Sequence, residues 1–194
     1  MASSRLSVVV LVALALVLAA GCRSPKGTTP QEKRNYTENM RKEALAELYE
    51  EHPEARSQLK NAPGYAVFSN VGSKIFMLAT GSGFGVAVNS RTGKKIYMKM
   101  IEAGGGLGMG IKKYKAVYIF NEKSALDTFT TSGWQVGGDA DAGAEYGDKG
   151  GSADAAINTD QVVNAVTVYQ FTDAGISVSA VATGTRYFPD DELN

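Results

Sequence analysis

The side chains that most often carry out chemistry are scarce in this sequence. Among 194 residues there is one histidine, His52, and one cysteine, Cys22. Ser-His-Asp triads, Cys-His couples, zinc sites and disulfides all draw on groups that the chain almost lacks. His52 precedes Pro53 at a predicted helix junction, where it is interpreted as a cap or surface residue. We therefore predict that the protein is not an enzyme and binds no metal or other cofactor.

Charge and hydrophobicity exclude two further classes of protein. The chain carries 20 Lys and Arg against 20 Asp and Glu, and 44% of its residues are hydrophobic. This balance is atypical of a nucleic-acid-binding protein, and the apolar content is too high for a disordered chain. The composition therefore predicts a packed globular core and no nucleic-acid partner.

The only cysteine stands at the end of an apolar leader. Arg5 is followed by an apolar run from Leu6 to Ala20, a pattern typical of an export signal. The segment Leu18-Ala19-Ala20-Gly21-Cys22 resembles the lipobox of bacterial lipoproteins. The resemblance implies cleavage before Cys22 and attachment of acyl chains such as palmitate to it, so that the partner is membrane lipid. The alternative is an ordinary signal peptide with an incidental cysteine.

These features divide the chain into three parts. We predict a lipoprotein signal peptide over residues 1–21, a lipidated tether over 22–28 and a single domain over 29–194. Arg23 follows the cysteine, where an Asp would resemble an inner-membrane retention signal. The expected location is therefore the periplasmic face of the outer membrane.

Helices are predicted at the start of the domain. Thr29-Pro30-Gln31-Glu32 combines a capping hydroxyl, a proline at the first helical position and a glutamate that can reach back to the cap. His52-Pro53 ends this helix, and a second short helix is expected over Glu54 to Leu59. The charges from Gln31 to Lys60 are mixed, which favours core packing of the apolar face over insertion into a membrane. That face consists of Tyr36, Met40, Ala44, Leu45, Leu48 and Tyr49.

From Tyr65 onwards the apolar period changes to two, which predicts strands. Short connections favour antiparallel pairing, and one internal helix is expected over Ser124 to Thr131, capped by Asn121 or Ser124. The predicted fold class is α+β and β-rich: a mainly antiparallel sheet, or a partly closed barrel or sandwich, with N-terminal amphipathic helices. The predicted strands are Tyr65 to Phe68, Ile75 to Ala79, Phe84 to Val88, Lys95 to Ile101, Gly105 to Ile111, Tyr114 to Phe120, Gly133 to Tyr146, Val162 to Phe171 and Ile176 to Thr183.

Alternating glycines leave one face of two predicted strands without side chains. Such stripes mark a bend or the close approach of another element. We favour a helix or second sheet packed in this trough, and the alternative is a groove that accepts a partner or ligand. The residues concerned are Gly81, Gly83, Gly85, Gly106, Gly108 and Gly110.

Five sequence blocks in this order resemble the SYLF domain. The resemblance covers about Ala44 to Asn194, and the lipobox is similar to that of the bacterial lipoprotein branch. It implies a compact β-rich domain with N-terminal helices that binds lipid, and we expect anionic lipid here. The blocks are Gly64 to Val71, Gly83 to Val86, Gly104 to Gly110, Ala125 to Phe129, and Val168 to Phe171 followed by Gly175.

The charges are unevenly distributed along the chain. Residues 91–115 contain seven basic residues and one acidic residue, and Lys95, Tyr97 and Lys99 are expected to share a solvated strand face. These lysines could contact lipid headgroups, or they could only keep the sheet soluble and protect an edge. The candidate headgroup-binding residues are Lys94, Lys95, Lys99, Lys112, Lys113 and Lys115.

Residues 139–160 are acidic, and a calcium loop there is disfavoured because the register does not match an EF-hand. Trp134 is predicted to be a core anchor. Together the patterns predict an envelope-anchored, non-catalytic lipoprotein whose domain contacts anionic lipid. The alternative is a structural or protein-interaction module of the cell envelope.

Overall fold

The computed structural model describes residues 24–75, 78–105, 110–136, 165–172, 175–178 and 185–194. The predicted leader, Cys22 and the acidic run 139–160 lie outside these ranges. The helices are α1 (Pro30–Glu51), α2 (Ala55–Asn61) and α3 (Lys123–Thr131). The strands are β1 (Gly64–Ile75), β2 (Leu78–Asn89), β3 (Lys95–Gly105), β4 (Gly110–Phe120), β5 (Trp134–Val136), β6 (Val166–Thr172), β7 (Gly175–Val178) and β8 (Thr185–Pro189).

The strands form one antiparallel sheet in the order β5-β8-β3-β2-β1-β4-β6-β7. In the described ranges, β5 and β7 are the two outer strands, so the sheet is open. The long β1–β2 hairpin forms its centre, with β3 and β4 on either side. This architecture confirms the predicted α+β, β-rich fold class.

Helix α1 begins where the capping pattern predicted. The Thr29 hydroxyl accepts a hydrogen bond from the Glu32 amide at 3.2 Å, and the Glu32 carboxylate accepts one from the Thr29 amide at 3.1 Å. Hydrogen bonds from Thr28 and Thr29 lower the pKa of Glu32 to about 2. The helix ends at Glu51, and His52 caps it through a backbone bond to Leu48. The predicted boundaries and the interpretation of His52 as a cap are therefore confirmed.

Two predicted strands are wrong. Ile75 to Ala79 is not a separate strand, because Ile75 and Leu78 are register partners at the ends of β1 and β2. Residues 75–79 form an uninterrupted apolar run, and no Gly, Pro, Asn or Asp marks the connection. Gly105 to Ile111 is also not one strand, since β3 ends at Gly105 and β4 begins at Gly110. The alternating glycine pattern could not show that Gly105 and Gly110 belong to two different strands.

The last strands were predicted incompletely. The predicted long strand from Gly133 is described as β5 over Trp134–Val136, with Gly133 in the left-handed region at a φ of 75°. A Cβ on Gly133 would lie 2.0 Å from the Tyr187 carbonyl oxygen, so only glycine allows β5 to pair with β8 here. Strand β8 was not predicted. The expected side-chain caps of α3 are wrong, because its N-cap is Glu122 and makes no side-chain capping bond.

One face of the sheet, which we call the helix face, packs against α1 and α2. Helix α1 buries Met40, Ala44, Leu45 and Leu48 on this face, as its apolar stripe predicted. The helix therefore packs on the sheet in this structure. The sheet residues beneath the two helices are Val67, Phe84, Val117, Ile119, Tyr169 and Phe171.

The opposite face, which we call the aromatic face, is dominated by rings. Phe129 of α3 lies with its ring centre 5.0 Å from that of Trp134 and 6.0 Å from that of Phe68. Trp134 is 3% exposed, which confirms it as a core anchor. The glycine trough opens on this face, and a Cβ on Gly85 would lie 2.5 Å from the Phe68 ring. At Gly85 the atoms nearest to such a Cβ are the Val67 carbonyl oxygen and the Phe68 ring, so β1 occupies the space beside this glycine.

Candidate functional site

Lys95 and Lys99 lie on the helix face and each contacts a carboxylate. The Lys95 ammonium is 2.7 Å from Glu38 of α1, and the Lys99 ammonium is 2.8 Å from Asp190. Both lysine side chains remain 39% exposed. Because Glu38 and Asp190 belong to segments that cover the sheet, these lysines also act as ties between the sheet and its covering elements.

Tyr97 lies between the two lysines. The expected solvated position is wrong for this residue, because its side chain is buried. The segment after β8 covers it: the Asp190 amide donates to the Tyr97 carbonyl at 2.9 Å, and the Asn194 side chain bonds both backbone groups of Tyr97. Leu193 and Tyr97 belong to the same buried cluster, together with Val86 and Val88. The strand alternation gave the correct face but could not show that a distant segment would cover it.

Glu38 is the most connected of these carboxylates. Its Oε2 accepts hydrogen bonds from Lys95 and from Arg41, and Arg41 donates a further bond to the Tyr65 hydroxyl at 2.7 Å. Burial acts to raise the pKa of Glu38, but the bonds from Lys95 and Arg41 outweigh it and the net pKa is lowered. Glu38 is therefore ionised at neutral pH and ties α1 to the sheet.

The six candidate lysines do not form one cluster. Lys115 lies 2.5 Å from Glu47 of α1, and Lys94 is exposed in the turn between β2 and β3. Only the backbone of Lys112 and Lys113 is described, opposite Gly72 and Val71 at the other end of the strands. At about 3.3 Å per residue, the six residues of β2 between those two ends span roughly 20 Å. Lys94 and Lys95 therefore lie far from Lys112 and Lys113.

Three partners of these lysines were missed from the sequence. Glu38 and Glu47 were considered only as part of the mixed charges from Gln31 to Lys60, and Asp190 was given no role. Helical spacing could have indicated the first two, because Glu38 and Glu47 flank the apolar stripe that packs on the sheet. Asp190 could not have been found in this way, because it lies 91 residues after Lys99 in the sequence.

A polar cluster lies on the aromatic face. The Glu102 carboxylate accepts hydrogen bonds from the Asn70 amide at 2.7 Å and from the Tyr114 hydroxyl at 3.1 Å. The Tyr118 and Tyr187 hydroxyls are 2.6 Å apart and fully buried. Burial raises the pKa of Tyr118 to about 12 and raises the pKa of Tyr114 and Tyr187 as well. These phenols are neutral at physiological pH and serve as hydrogen-bond groups within the core.

The described ranges contain neither a metal-binding cluster nor a helix that could cross a membrane. No group of three or more His, Cys, Asp or Glu residues is arranged there to hold a metal ion. Over the same ranges, no helix combines the length and the apolar character needed to cross a bilayer. The acidic residues for which a calcium loop was considered, including Asp139 and Asp141, lie outside the described residues.

The fold thus defines a β-rich α+β domain in which ion pairs connect helix α1 and the segment after β8 to a single open sheet. Residues 101–194 match the protein family described as Ysc84, Las17-binding protein actin regulator. The chain is also 36% identical over 165 residues to Beta cell expansion factor A of Aeromonas veronii. That alignment covers 85% of this chain and 60% of the relative. The Ysc84 model describes the SYLF domain, so residues 101–194 carry the family match that the sequence blocks predicted, and the relative is a bacterial SYLF-family protein.

Proposed function

We propose that this chain is a lipoprotein of the bacterial envelope, held on the periplasmic face of the outer membrane, whose SYLF domain contacts anionic lipid without catalysing a reaction. The observation that carries the proposal is the position of Cys22. It is the only cysteine of the chain and it ends an apolar leader in a lipobox-like sequence. Ser24, two residues later, is the first residue that the structure describes.

The start of the domain supports a short connection to the membrane. Pro25 is buried, Lys26 lies over the Tyr36 ring, and Thr28 and Thr29 bind Glu32 at the start of α1. An acyl group at Cys22 would therefore hold the domain close to the leaflet. Each buried CH₂ of an acyl chain contributes about 0.8 kcal/mol, so a multiply acylated terminus needs no further affinity from the domain.

The anchor is tested with Cys22→Ser in the full chain, expressed in a bacterium that processes lipoproteins. We expect the wild type in the membrane fraction, with an N-terminal peptide whose mass shows acylated Cys22 and loss of residues 1–21. Cys22→Ser should remain unprocessed. Ser24→Ala, two residues away, is the matched control and should behave as the wild type. An unmodified Cys22 in the purified wild type would refute the anchor.

Lipid contact by the domain is tested separately by flotation with vesicles. The chain that starts at Arg23 should float with phosphatidylglycerol-containing vesicles at low salt and should be released as salt rises, because exposed charges are then screened. Vesicles of phosphatidylcholine alone are the control. Absence of binding to the anionic vesicles would remove lipid contact from the proposal while leaving the anchor intact.

A further inference from the structure

Ile101 is the one large hydrophobic residue that is exposed among the described residues, with 42% of its surface accessible. Its neighbour Met100 faces the other way and is buried on the aromatic face. A single exposed isoleucine is common on protein surfaces and needs no explanation by itself. The types of residue that surround Ile101 in the sheet indicate a contact surface.

The sheet register places Ile101 in a row that crosses five strands. A second row lies next to it, closer to α1. None of the ten positions in the two rows is acidic, and four are basic. The first row is Lys113, Val71, Ser82, Ile101 and Arg186, and the second is Lys115, Ser69, Phe84, Lys99 and Phe188. We call the described side chains at the β3 side, Val71, Ser82, Ile101, Lys99, Arg186 and Phe188, the Ile101 patch.

The patch combines an apolar centre with a basic border. The Arg186 guanidinium lies 6.0 Å from the centre of the half-buried Phe188 ring. Lys99 keeps an exposed side chain although Asp190 is its partner, and Lys115 is likewise paired with Glu47. Glu102 follows Ile101 but bonds Asn70 and Tyr114 on the other face of the sheet. An apolar residue bordered by long cationic side chains suits the interface of an anionic leaflet.

The start of the domain lies near the second row at Phe84, which is the register partner of Lys99 in the patch. The Lys26 ammonium is 5.8 Å from the centre of the Tyr36 ring, and that ring is 5.7 Å from Phe84 of the second row. Cys22 is four residues before Lys26, a distance of at most about 14 Å at roughly 3.5 Å per residue. The chain between the anchor and the domain therefore ends next to this part of the helix face. The turn after β2, with Ser90, lies at the other end of the strands.

We propose that the Ile101 patch is the surface that faces the membrane, with Ile101 entering the interface and Lys99 and Arg186 bordering it. This inference rests on the proposed function. It assigns the lipid contact to one end of the helix face, and it excludes Lys94 and Lys95, at the opposite strand end, from that contact.

The test uses the full acylated chain reconstituted into vesicles of phosphatidylethanolamine and phosphatidylglycerol whose acyl chains carry bromine, which quenches tryptophan within the bilayer. Ile101→Trp supplies a reporter in the patch, and Ser90→Trp supplies a matched reporter at an exposed turn. The native Trp134 is buried and gives the same background in both. We expect the reporter at position 101 to lose most of its added emission and to shift to shorter wavelength. The reporter at position 90 should retain its emission.

Each other outcome counts against a defined part of the idea. Reporters that are equally bright at positions 101 and 90, in vesicles that carry the protein, overturn the patch and leave the proposed function standing. Protein that does not float with the vesicles at all overturns both. A position 101 shielded from acrylamide but not quenched by bromine indicates a protein contact and overturns the leaflet assignment. Equal quenching in phosphatidylcholine vesicles overturns the role of charge.

Two controls keep the test independent of folding. The thermal midpoint of Ile101→Trp should equal that of the wild type, because the side chain is exposed. Val71→Trp, in the same row, is a second reporter that should respond in the same direction. If its emission instead follows that of the position 90 reporter, the row does not face the bilayer.

Discussion

The two faces of the sheet are covered by different kinds of side chain. On the aromatic face, rings of Phe68, Phe120, Phe129 and Trp134 pack with centres 5.0 to 6.0 Å apart, and the hydroxyls of Tyr118 and Tyr187 bond each other. On the helix face, aliphatic residues pack beneath α1, and ion pairs such as Lys95 with Glu38 lie at the margins. The difference indicates that the aromatic face is a closely packed interior, while the helix face also carries partly exposed charged side chains at its margins.

The largest effect is expected from the aromatic face. Phe129→Ala removes a fully buried ring that contacts Phe68, Phe120, Trp134 and Tyr187, and we expect it to lower the free energy of unfolding by about 3–5 kcal/mol. Urea denaturation followed by circular dichroism measures the change. A loss smaller than that of Leu48→Ala would reverse the comparison between the faces.

Leu48→Ala tests the interior of the helix face. Leu48 is fully buried between α1 and the sheet. We expect a loss of about 2–3 kcal/mol, in the lower part of the range for buried leucine, because α1 can settle toward the sheet and reduce the cavity. Denaturation under the same conditions measures it. A nearly unchanged free energy of unfolding would mean that α1 contributes little to the stability of the domain.

The ion pairs at the margins should contribute less than either interior. Glu38→Gln weakens the bonds to Lys95 and Arg41, and we expect it to cost about 1 kcal/mol at neutral pH. Glu47→Gln is the matched control, because that carboxylate has one lysine partner and is 42% exposed, and it should cost less than about 0.5 kcal/mol. Equal losses would show that the network around Glu38 adds nothing beyond a surface pair.

The comparison between the wild type and Glu38→Gln also gives a prediction for the pH dependence of stability. The pKa of Glu38 is lower in the folded protein than its usual value, so its contribution to stability is present above about pH 4.3 and is lost as the pH falls through the folded value. The difference in unfolding free energy between the wild type and Glu38→Gln should therefore shrink on acidification. A difference that is constant from pH 7 to about pH 3 would contradict the lowered pKa.

The smallest effect on stability is expected at Ile101. Because its side chain is exposed, Ile101→Ser should change the free energy of unfolding by no more than about 0.5 kcal/mol. Thermal and urea denaturation measure this. A substantial loss would mean that Ile101 belongs to the core, and the helix face would then expose no large apolar residue in the described part of the chain.

The sequence predicted local features well, but it did not predict which segments distant in sequence pack over the sheet. The capping pattern at Thr29 and Glu32 gave the start of α1, and the alternation from Lys95 gave the correct faces of β3. The apolar run over residues 75–79 could not reveal that β1 ends at Ile75 and β2 begins at Leu78, because the connection has no residue typical of a turn. Strand β8 was missed because it is only five residues long, although it buries Tyr187.

The candidate site shows the same division. The sequence indicated which lysines share a strand face, but three of them meet carboxylates from segments distant along the chain, and Tyr97 is covered by the residues after β8. Lys94 and Lys95 could be separated from Lys112 and Lys113 only by the sheet order. The location of Ile101 between Ser82 and Arg186 also follows from the register alone.

The sequence by itself determined the family, the capped first helix, the antiparallel strands and the scarcity of catalytic side chains, because these depend on residue type and on spacing within a few residues. The tertiary structure alone decided which charges are paired, which aromatic residues are buried and which apolar residue stays in solvent. Such properties depend on contacts between residues that lie far apart in sequence, and neither composition nor local periodicity records those contacts.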